Sequence, residues 1–271
     1  MAYPKYDFVV DERVEPDGIS LSEAILKHLI INKLKNGKPV MIFIGGGSSE
    51  GKSWSILRLN ELLGLIPEDH KEFINKQVAY VPDQFIEKAR DIFFNPENKA
   101  KSFCLMEGGE TQSKYLWYSA VNQAIVKSER MSRTLKPIVF FMASPDISDV
   151  DINARKLLIY YGWCYRPGHD KVHLRLYKVY KTRTLYNPKV LQLSLRGKVI
   201  TADGEEHLIK VGEFLVNPPS RELIDLFEAE ELSAKTHILS ESLESFQKYR
   251  KKTKIKVPVR LKRKRSEVNN V

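Results

Sequence analysis

A glycine-rich turn between an apolar run and a polar segment constrains the fold of this chain more than any other feature. Residues 40–44 (VMIFI) are typical of a buried strand, and the eight residues that start at Gly46 read GGSSEGKS. This segment matches the phosphate-binding loop pattern G-x-x-x-x-G-K-[ST] at every fixed position. Glycines let the backbone curl so that successive N–H groups point at phosphate oxygens, and a helix starting near Lys52 directs its positive end at the same anion. The pattern predicts a nucleotide-binding site.

The residue types in this loop predict how a nucleotide and a metal ion are held. The Lys52 ammonium is expected to reach the β- and γ-phosphates, and the Ser53 hydroxyl is expected to ligate Mg²⁺. A plain glycine turn between a strand and a helix would not require this Lys-Ser pair. We therefore predict ATP and Mg²⁺ as ligands. The predicted binding residues are Gly46, Gly47, Ser48, Ser49, Glu50, Gly51, Lys52, Ser53 and Trp54.

Such a loop also needs an acidic side chain on a neighbouring strand, to hold Mg²⁺ or to polarise water. Glu107 directly follows the apolar run 102–106 and is the first candidate for metal binding and catalysis. Open α/β sheets bind their ligands at this carboxyl edge of the strands. Glu110 is a second candidate. The alternatives are an exposed loop glutamate at position 107 and a helix N-terminal acid at position 110.

Three other polar residues are candidates for contact with the transferred phosphate. Ser144 follows the apolar run 138–143 and would present its hydroxyl to the γ-phosphate or to the attacking water. The alternative for Ser144 is a simple turn before Pro145. Arg155 and Arg133 are candidates for an arginine that stabilises the transition state, also across a subunit boundary. A surface or helix-capping arginine is the alternative for each.

The pattern of apolar residues predicts an α/β core followed by a β-rich extension. Strand-like runs alternate with helical patterns between residues 38 and 162, including a helix predicted over Val150–Tyr161. This alternation indicates a mostly parallel sheet wound by helices. The predicted organisation is an N-terminal segment and helix (1–37), a nucleotide-binding core (38–162), a β extension (163–216), a C-terminal helical segment (217–247) and a basic, disordered tail (248–271).

The excess positive charge is confined to the C-terminus. The net charge is +10, and eleven Lys or Arg residues lie between Lys248 and Arg265, whereas residues 1–247 carry equal numbers of basic and acidic side chains. Such a tail predicts strong, salt-sensitive and sequence-independent binding of nucleic acid, with DNA as the expected partner. The alternative is a disordered segment that serves solubility or targeting.

The remaining composition favours an intracellular protein. No apolar run approaches the length of a membrane span, and the N-terminal residues lack the apolar core of a signal peptide. We therefore expect a soluble, cytoplasmic protein. Cys104 and Cys164 both lie in apolar surroundings, so we expect two reduced core cysteines rather than a disulfide.

Several motifs follow one another in the sequence: the phosphate-binding loop, Val78–Phe85, Glu107–Gly109, Ser144–Asp146 and Asp151–Arg155. Their order resembles that of the ATPases of archaeal viruses and plasmids related to zonula-occludens-toxin-like phage assembly ATPases, in the FtsK/HerA class of DNA translocases. The resemblance covers residues 38–165 and implies a RecA/FtsK-like P-loop NTPase fold, a hexamer, and a place in the host cytoplasm if the protein is viral.

The chain departs from this family at the acidic motif. The relatives carry Asp-Glu-Ala-Gly, in which Asp serves the metal and Glu the water, whereas residues 106–109 read MEGG. Met106 thus replaces the metal-side aspartate. Three interpretations remain open: Glu107 serves as the only acid, Glu107 and Glu110 divide the roles, or hydrolysis is weak.

Three functions follow from these observations. The leading hypothesis is an ATPase of a virus or plasmid that acts on DNA or a nucleoprotein in translocation, packaging or assembly. The second is a nucleotide-gated DNA-binding or assembly protein with little hydrolysis, motivated by Met106. The third is a small-molecule kinase, since the loop also suits phosphoryl transfer to a metabolite. A kinase would not need the basic tail.

Overall fold

One sheet organises the part of the chain that the structure describes. The computed structural model describes residues 6–13, 20–80, 82–95, 97–106, 137–147, 155, 157–166, 171–181 and 190–252. Within these ranges ten strands form a single sheet. The strands are β1 (Phe8–Asp11), β2 (Val40–Gly45), β3 (Val78–Ala79), β4 (Ser102–Leu105), β5 (Val139–Ala143), β6 (Tyr160–Tyr165), β7 (Val172–Lys181), β8 (Val190–Ile200), β9 (Glu206–Val211) and β10 (Phe214–Val216).

Five neighbouring strands of this sheet run parallel. Their spatial order is β6-β2-β5-β4-β3. The chain passes from β2 to the edge at β3, returns to β5, and then crosses to β6 on the other side of β2, so the strand order reverses beside β2. Beyond β6 the pairing becomes antiparallel with β7 and β8, and β1 joins the far edge parallel to β8. The mixed α/β fold with a mostly parallel core is as predicted.

Helices cover this sheet, and local sequence explains where they start and stop. The Ser20 Oγ accepts the Glu23 N–H at 3.3 Å and caps the first helix. Gly37, with φ of +67°, ends it. The described helices are α1 (Leu21–Lys35), α2 (Lys52–Leu62), α3 (His70–Gln77), α4 (Pro82–Phe94) and α5 (Arg221–Lys252).

Both faces of the parallel strands are buried. In β2, Val40, Ile42 and Ile44 belong to a core shared with α1, α2 and α5, whereas Met41 and Phe43 belong to a second core shared with α4. Successive side chains of a strand point to opposite faces, so a strand that is covered on both faces is apolar at every position. This double burial explains the unbroken apolar run before the glycine-rich turn.

The sequence-based helix over Val150–Tyr161 is wrong at its C-terminal end. Tyr160 and Tyr161 belong to β6, where Tyr160 pairs with Ile42 of the central strand β2. A short apolar run that is buried on both faces carries no alternation, so periodicity alone does not distinguish it from a buried helix. The predicted boundary between the core and the β extension, at residue 162, falls inside β6. The β-rich segment therefore continues the same sheet.

Smaller differences lie at the ends of other elements. The N-terminal segment contributes β1, which the sequence did not indicate, and β3 is limited to Val78–Ala79 because Gln77 ends α3. The helix α5 runs to Lys252, five residues into the basic tail. Residues 107–136 of the predicted core and residues 253–271 of the predicted tail lie outside the described residues. None of the described helices is long and apolar enough to span a membrane.

A glycine in β8 allows β1 to pack against it. A Cβ at Gly197 would overlap the ring of Phe8, which is buried. Gly197→Ala should therefore lower the free energy of unfolding by about 1–3 kcal/mol, measured by chemical denaturation, because the ring has no free space to enter. Gly212→Ala is the matched control, since its Cβ would meet no atom within 4 Å. Equal stabilities of the two variants would contradict this packing of β1.

Candidate functional site

The glycine-rich turn occupies the carboxyl edge of β2, where three backbones approach closely. The Gly46 N–H donates to the Pro145 carbonyl at 3.3 Å, just after β5. On the other side, a Cβ at Gly46 would lie 2.6 Å from the Cys164 carbonyl oxygen of β6, and the φ of Gly46 is +147°. A side chain at position 46 is therefore excluded both by space and by backbone conformation.

A second glycine permits the turn into α2. Gly51 adopts the left-handed conformation, with φ of +85°, and its Cβ would lie 2.5 Å from Cγ2 of Val172. Gly51 precedes the helix and contributes no capping side chain, so the first N–H groups of α2 are suited to an external anion. Ser49 also has a positive φ, of +63°, which costs a non-glycine residue roughly 1–2 kcal/mol.

The lysine of the motif lies at the mouth of this turn. The Lys52 ammonium donates to the carbonyl oxygens of Gly46, at 2.9 Å, and Gly47, at 2.8 Å. The exposed tip of the turn, residues 47–49, leaves the loop open to solvent. The arrangement therefore presents a positive charge, a helix N-terminus and accessible backbone at one place, which is the donor set that a phosphate group requires.

A residue that the sequence reasoning missed also borders the loop. The Arg166 N–H donates to Glu50 Oε2 at 2.5 Å, and its guanidinium stacks on the Trp54 ring at 4.8 Å from the ring centre. The Arg166 Nε atom is buried without a hydrogen-bond partner in the structure. The sequence did not indicate this contact. Arg166 directly follows β6, and the first residues of β6 were predicted to belong to a helix.

A buried cysteine lies behind the loop. The Cys164 thiol donates to Ser55 Oγ, at 3.3 Å, in the first turns of α2. Burial raises the pKa of Cys164 to about 11, although the Ser55 hydrogen bond and the Lys52 charge act in the opposite direction. Cys104 is also buried and forms no disulfide, and burial raises its pKa as well. Both cysteines are therefore reduced core residues, as expected from the sequence.

Of the other predicted site residues, Ser144 lies next to the loop strand and Arg155 does not. The Ser144 N–H donates to the Ile44 carbonyl at 3.3 Å, and Ser144 is buried. The Arg155 carbonyl accepts the Leu158 N–H. The next residue, Ile159, donates its N–H to the carbonyl of Met41, near the start of β2. Its backbone therefore lies toward the edge of the sheet opposite the loop, and its catalytic role remains a prediction.

The methionine at the acidic motif is a core residue. The Met106 N–H donates to the Ala79 carbonyl at 2.8 Å, and only 1% of Met106 is exposed. The strand β5 separates β4 from β2, so the chain leaves β4 at about 10 Å from the loop strand. Glu107, Glu110 and Arg133 lie outside the described residues. Within the described ranges, no three His, Cys, Asp or Glu side chains form a cluster that could hold a metal ion.

Comparison with known proteins identifies no family for this chain. No protein-family model matches it, and no curated protein matches it significantly. Among solved structures, the N-terminal domain of zonular occludens toxin from Neisseria meningitidis is similar over 58% of this chain and 95% of that chain, with 11% sequence identity and a TM-score of 0.33. At this level the likeness is coarse, so the interpretation of the site depends on its own geometry.

The environment of Cys164 generates a prediction about thiol chemistry. The thiolate is the reactive form, and burial both disfavours it and keeps the reagent away, so Cys164 in the folded protein should be alkylated only through transient opening. At pH 8.5 the rate should be at least about 100-fold below that of the unfolded chain. Pulse alkylation with peptide mass spectrometry separates Cys164 from Cys104. A native rate at pH 8.5 that approaches the rate of the unfolded chain would contradict the assigned burial.

Proposed function

We propose that the chain is a P-loop nucleoside triphosphatase that binds ATP with Mg²⁺ and acts on DNA or a nucleoprotein. The observation that carries this proposal is the loop at the carboxyl edge of β2, where Gly46 and Gly51 adopt conformations that exclude other residues. The Lys52 ammonium lies within 3 Å of two loop carbonyls, at the start of an uncapped helix. A glycine turn that served only chain reversal would need none of these donors.

The loop's own residues would bind the triphosphate. Backbone N–H groups of the loop and of the first turn of α2 would donate to phosphate oxygens. The Lys52 ammonium would exchange the carbonyls of Gly46 and Gly47 for the β- and γ-phosphates, where it neutralises the negative charge. Arg166, whose guanidinium stacks on Trp54 in the first turn of α2, would add a positive charge beside the ligand.

We also propose metal-binding and acid roles for residues at the carboxyl edge of the sheet. Ser53, in the first turn of α2, and Glu107, after β4, would hold Mg²⁺, which neutralises charge on the phosphates. Glu107 would also orient the attacking water, with Glu110 as a second acid. Ser144 directly follows the intervening strand β5 and lies next to the loop, which suits its proposed contact with the γ-phosphate or the water.

The loop predicts the effect of removing its lysine. Lys52→Ala should weaken ATP binding by about 10- to 100-fold, the usual value of charge-assisted hydrogen bonds to phosphate. Binding is measured by titration, with the Trp54 fluorescence as a local reporter and Trp54→Phe to confirm the origin of the signal. Lys71→Ala is the matched control, because Lys71 is an exposed lysine on α3. Equal affinities of the Lys52 and Lys71 variants would contradict the proposed site.

A nucleotide-gated binding protein with little hydrolysis is the second candidate, and the burial of Met106 favours it. Steady-state ATP hydrolysis with and without double-stranded DNA separates the two functions. Turnover that DNA stimulates and that Glu107→Gln abolishes would support the ATPase, whereas ATP binding without turnover would support the second candidate. Glu107→Gln is a cleaner variant than Met106→Asp, which would place a carboxylate in the core.

The basic tail is proposed to bind DNA through its phosphates, and its role can be tested apart from the nucleotide site. Deletion of residues 253–271 leaves α5 intact and removes seven of the eleven Lys and Arg residues between Lys248 and Arg265. The slope of log K for DNA against log salt should become less steep by up to about 6. ATP affinity should be unchanged. DNA binding with the same salt dependence after the deletion would refute the tail assignment.

A further inference from the structure

A cavity between α1 and β1 gathers cationic side chains. The cavity has a volume of about 500 Å³ and lies between the last turns of α1 and the segment that leads into β1. Its rim at Asn32, Asn36 and Lys38 is exposed, so a ligand can enter it from solvent. This volume lies in the range of small-molecule sites. The polar lining residues include Tyr6, Asp7, Asn32, Lys33, Asn36 and Lys38.

The end of α1 brings two lysines of this cavity together. Gly37, with φ of +67°, turns the chain back, and the Lys38 N–H donates to the Lys33 carbonyl at 2.9 Å. The Lys33 side chain is half-buried, and its ammonium lies 5.9 Å from the centre of the Tyr160 ring of β6. Among the described residues, neither the Lys33 nor the Lys38 ammonium forms a hydrogen bond or a salt bridge.

The carboxylate that lines this cavity is already engaged elsewhere. The Asp7 Oδ1 atom accepts a hydrogen bond from the Lys178 ammonium of β7, and the Oδ2 atom accepts the Arg196 N–H of β8 at 3.0 Å. Asp7 therefore holds the start of β1 against its neighbouring strands. The same carboxylate does not pair with Lys33 or Lys38, so the cavity combines three ammonium groups with one occupied acid.

The electrostatic environment of Lys33 lacks a counter-charge. Burial lowers the pKa of Lys33, and the ammonium groups of Lys178 and Lys38 lower it further. The Asp7 carboxylate acts in the opposite direction but is the weakest of these influences. The negative end of α1 and the aromatic ring also attract a cation. These attractions explain the exposed Lys35 in the same turn, but not a half-buried lysine with other ammonium groups around it.

We propose that this cavity binds phosphate through the ammonium groups of Lys33 and Lys38. A phosphate monoester carries a charge of about −1.5 to −2 near pH 7, which matches two cations without an acidic partner. Lysine is a common phosphate ligand, and the side-chain amides of Asn32 and Asn36 at the rim are further donors. Two sources have this chemistry: a small phosphate ester, or neighbouring phosphates of a nucleic-acid backbone.

This cavity is separate from the phosphate-binding loop. Lys38 precedes β2, whereas the loop follows β2, so the two sites lie toward opposite edges of the sheet. The Tyr160 ring beside Lys33 likewise belongs to the first residue of β6, and the loop approaches that strand at Cys164. The inference therefore does not rest on nucleotide binding at the loop.

Acetylation of individual lysines in the full-length chain tests the site. Only the neutral amine reacts, so bound phosphate should protect Lys33 both by covering it and by favouring its charged form. At constant ionic strength, saturating inorganic phosphate in place of chloride should slow acetylation of Lys33 by about tenfold, measured by limited reaction with acetic anhydride and peptide mass spectrometry. Lys35 is the matched control, because it is exposed in the same helical turn and lies outside the cavity lining.

Three results would overturn the proposal. The first is a reactivity of Lys33 that phosphate does not change, and the second is equal slowing at Lys33 and Lys35, which would indicate unspecific ion binding. The third is loss of the protection in Lys52→Ala, which would mean that phosphate acts from the loop. Protection of Lys33 that persists in Lys52→Ala would support the separate site, whether or not the loop binds ATP.

The salt dependence of DNA binding distinguishes the two sources of phosphate. If the cavity binds a nucleic-acid backbone, Lys33→Gln in the full-length chain should make the slope of log K against log salt less steep by about 1, whereas Lys35→Gln should leave it unchanged. Binding is measured by fluorescence anisotropy of a labelled double-stranded DNA. A slope that Lys33→Gln does not change, together with protection of Lys33 by inorganic phosphate, would support binding of a small phosphate ester.

Discussion

The close approach of three strands at Gly46 is the constraint on which the site depends. The loop backbone is held between the Pro145 carbonyl after β5 and the Cys164 carbonyl of β6, with no room for a Cβ. This contact exists only because β5 and β6 flank β2 on its two sides. The strand order therefore sets the shape of the loop, and the loop shape in turn sets where Lys52 and the start of α2 lie.

A set of polar contacts connects the loop helix to α5. Glu61, near the end of α2, accepts the Ser220 N–H at 2.9 Å, immediately before α5, which places a negative charge at the positive end of that helix. Arg58 forms salt bridges with Glu61 and with Glu23 of α1. The Tyr80 hydroxyl, beyond β3, donates to the Phe227 carbonyl of α5 at 3.3 Å. These contacts join α1, α2 and the segment after β3 to the helix that leads to the basic tail.

The sequence predicted the parts of the site that are local in the chain. The loop pattern fixed the position of the glycines and of Lys52, and the structure places Ser144 beside them. The sequence did not predict the role of Arg166, because this residue reaches the loop only through the pairing of β6 with β2. The acids Glu107 and Glu110 remain predictions. The reason for this division is physical: a motif of eight residues specifies its own backbone, whereas a neighbouring strand is specified by contacts distributed along the chain.

For the fold as a whole, the sequence alone determined the alternating strands and helices, the apolar strand before the loop and the concentration of positive charge after residue 247. These features depend on periodicity and on composition. Only the tertiary structure decided that Tyr160–Tyr165 is a strand, that β1 joins β8, and that the β-rich segment extends the same sheet. Those outcomes depend on which surfaces bury each other, because a doubly buried apolar run has no period of its own until its neighbours are in place.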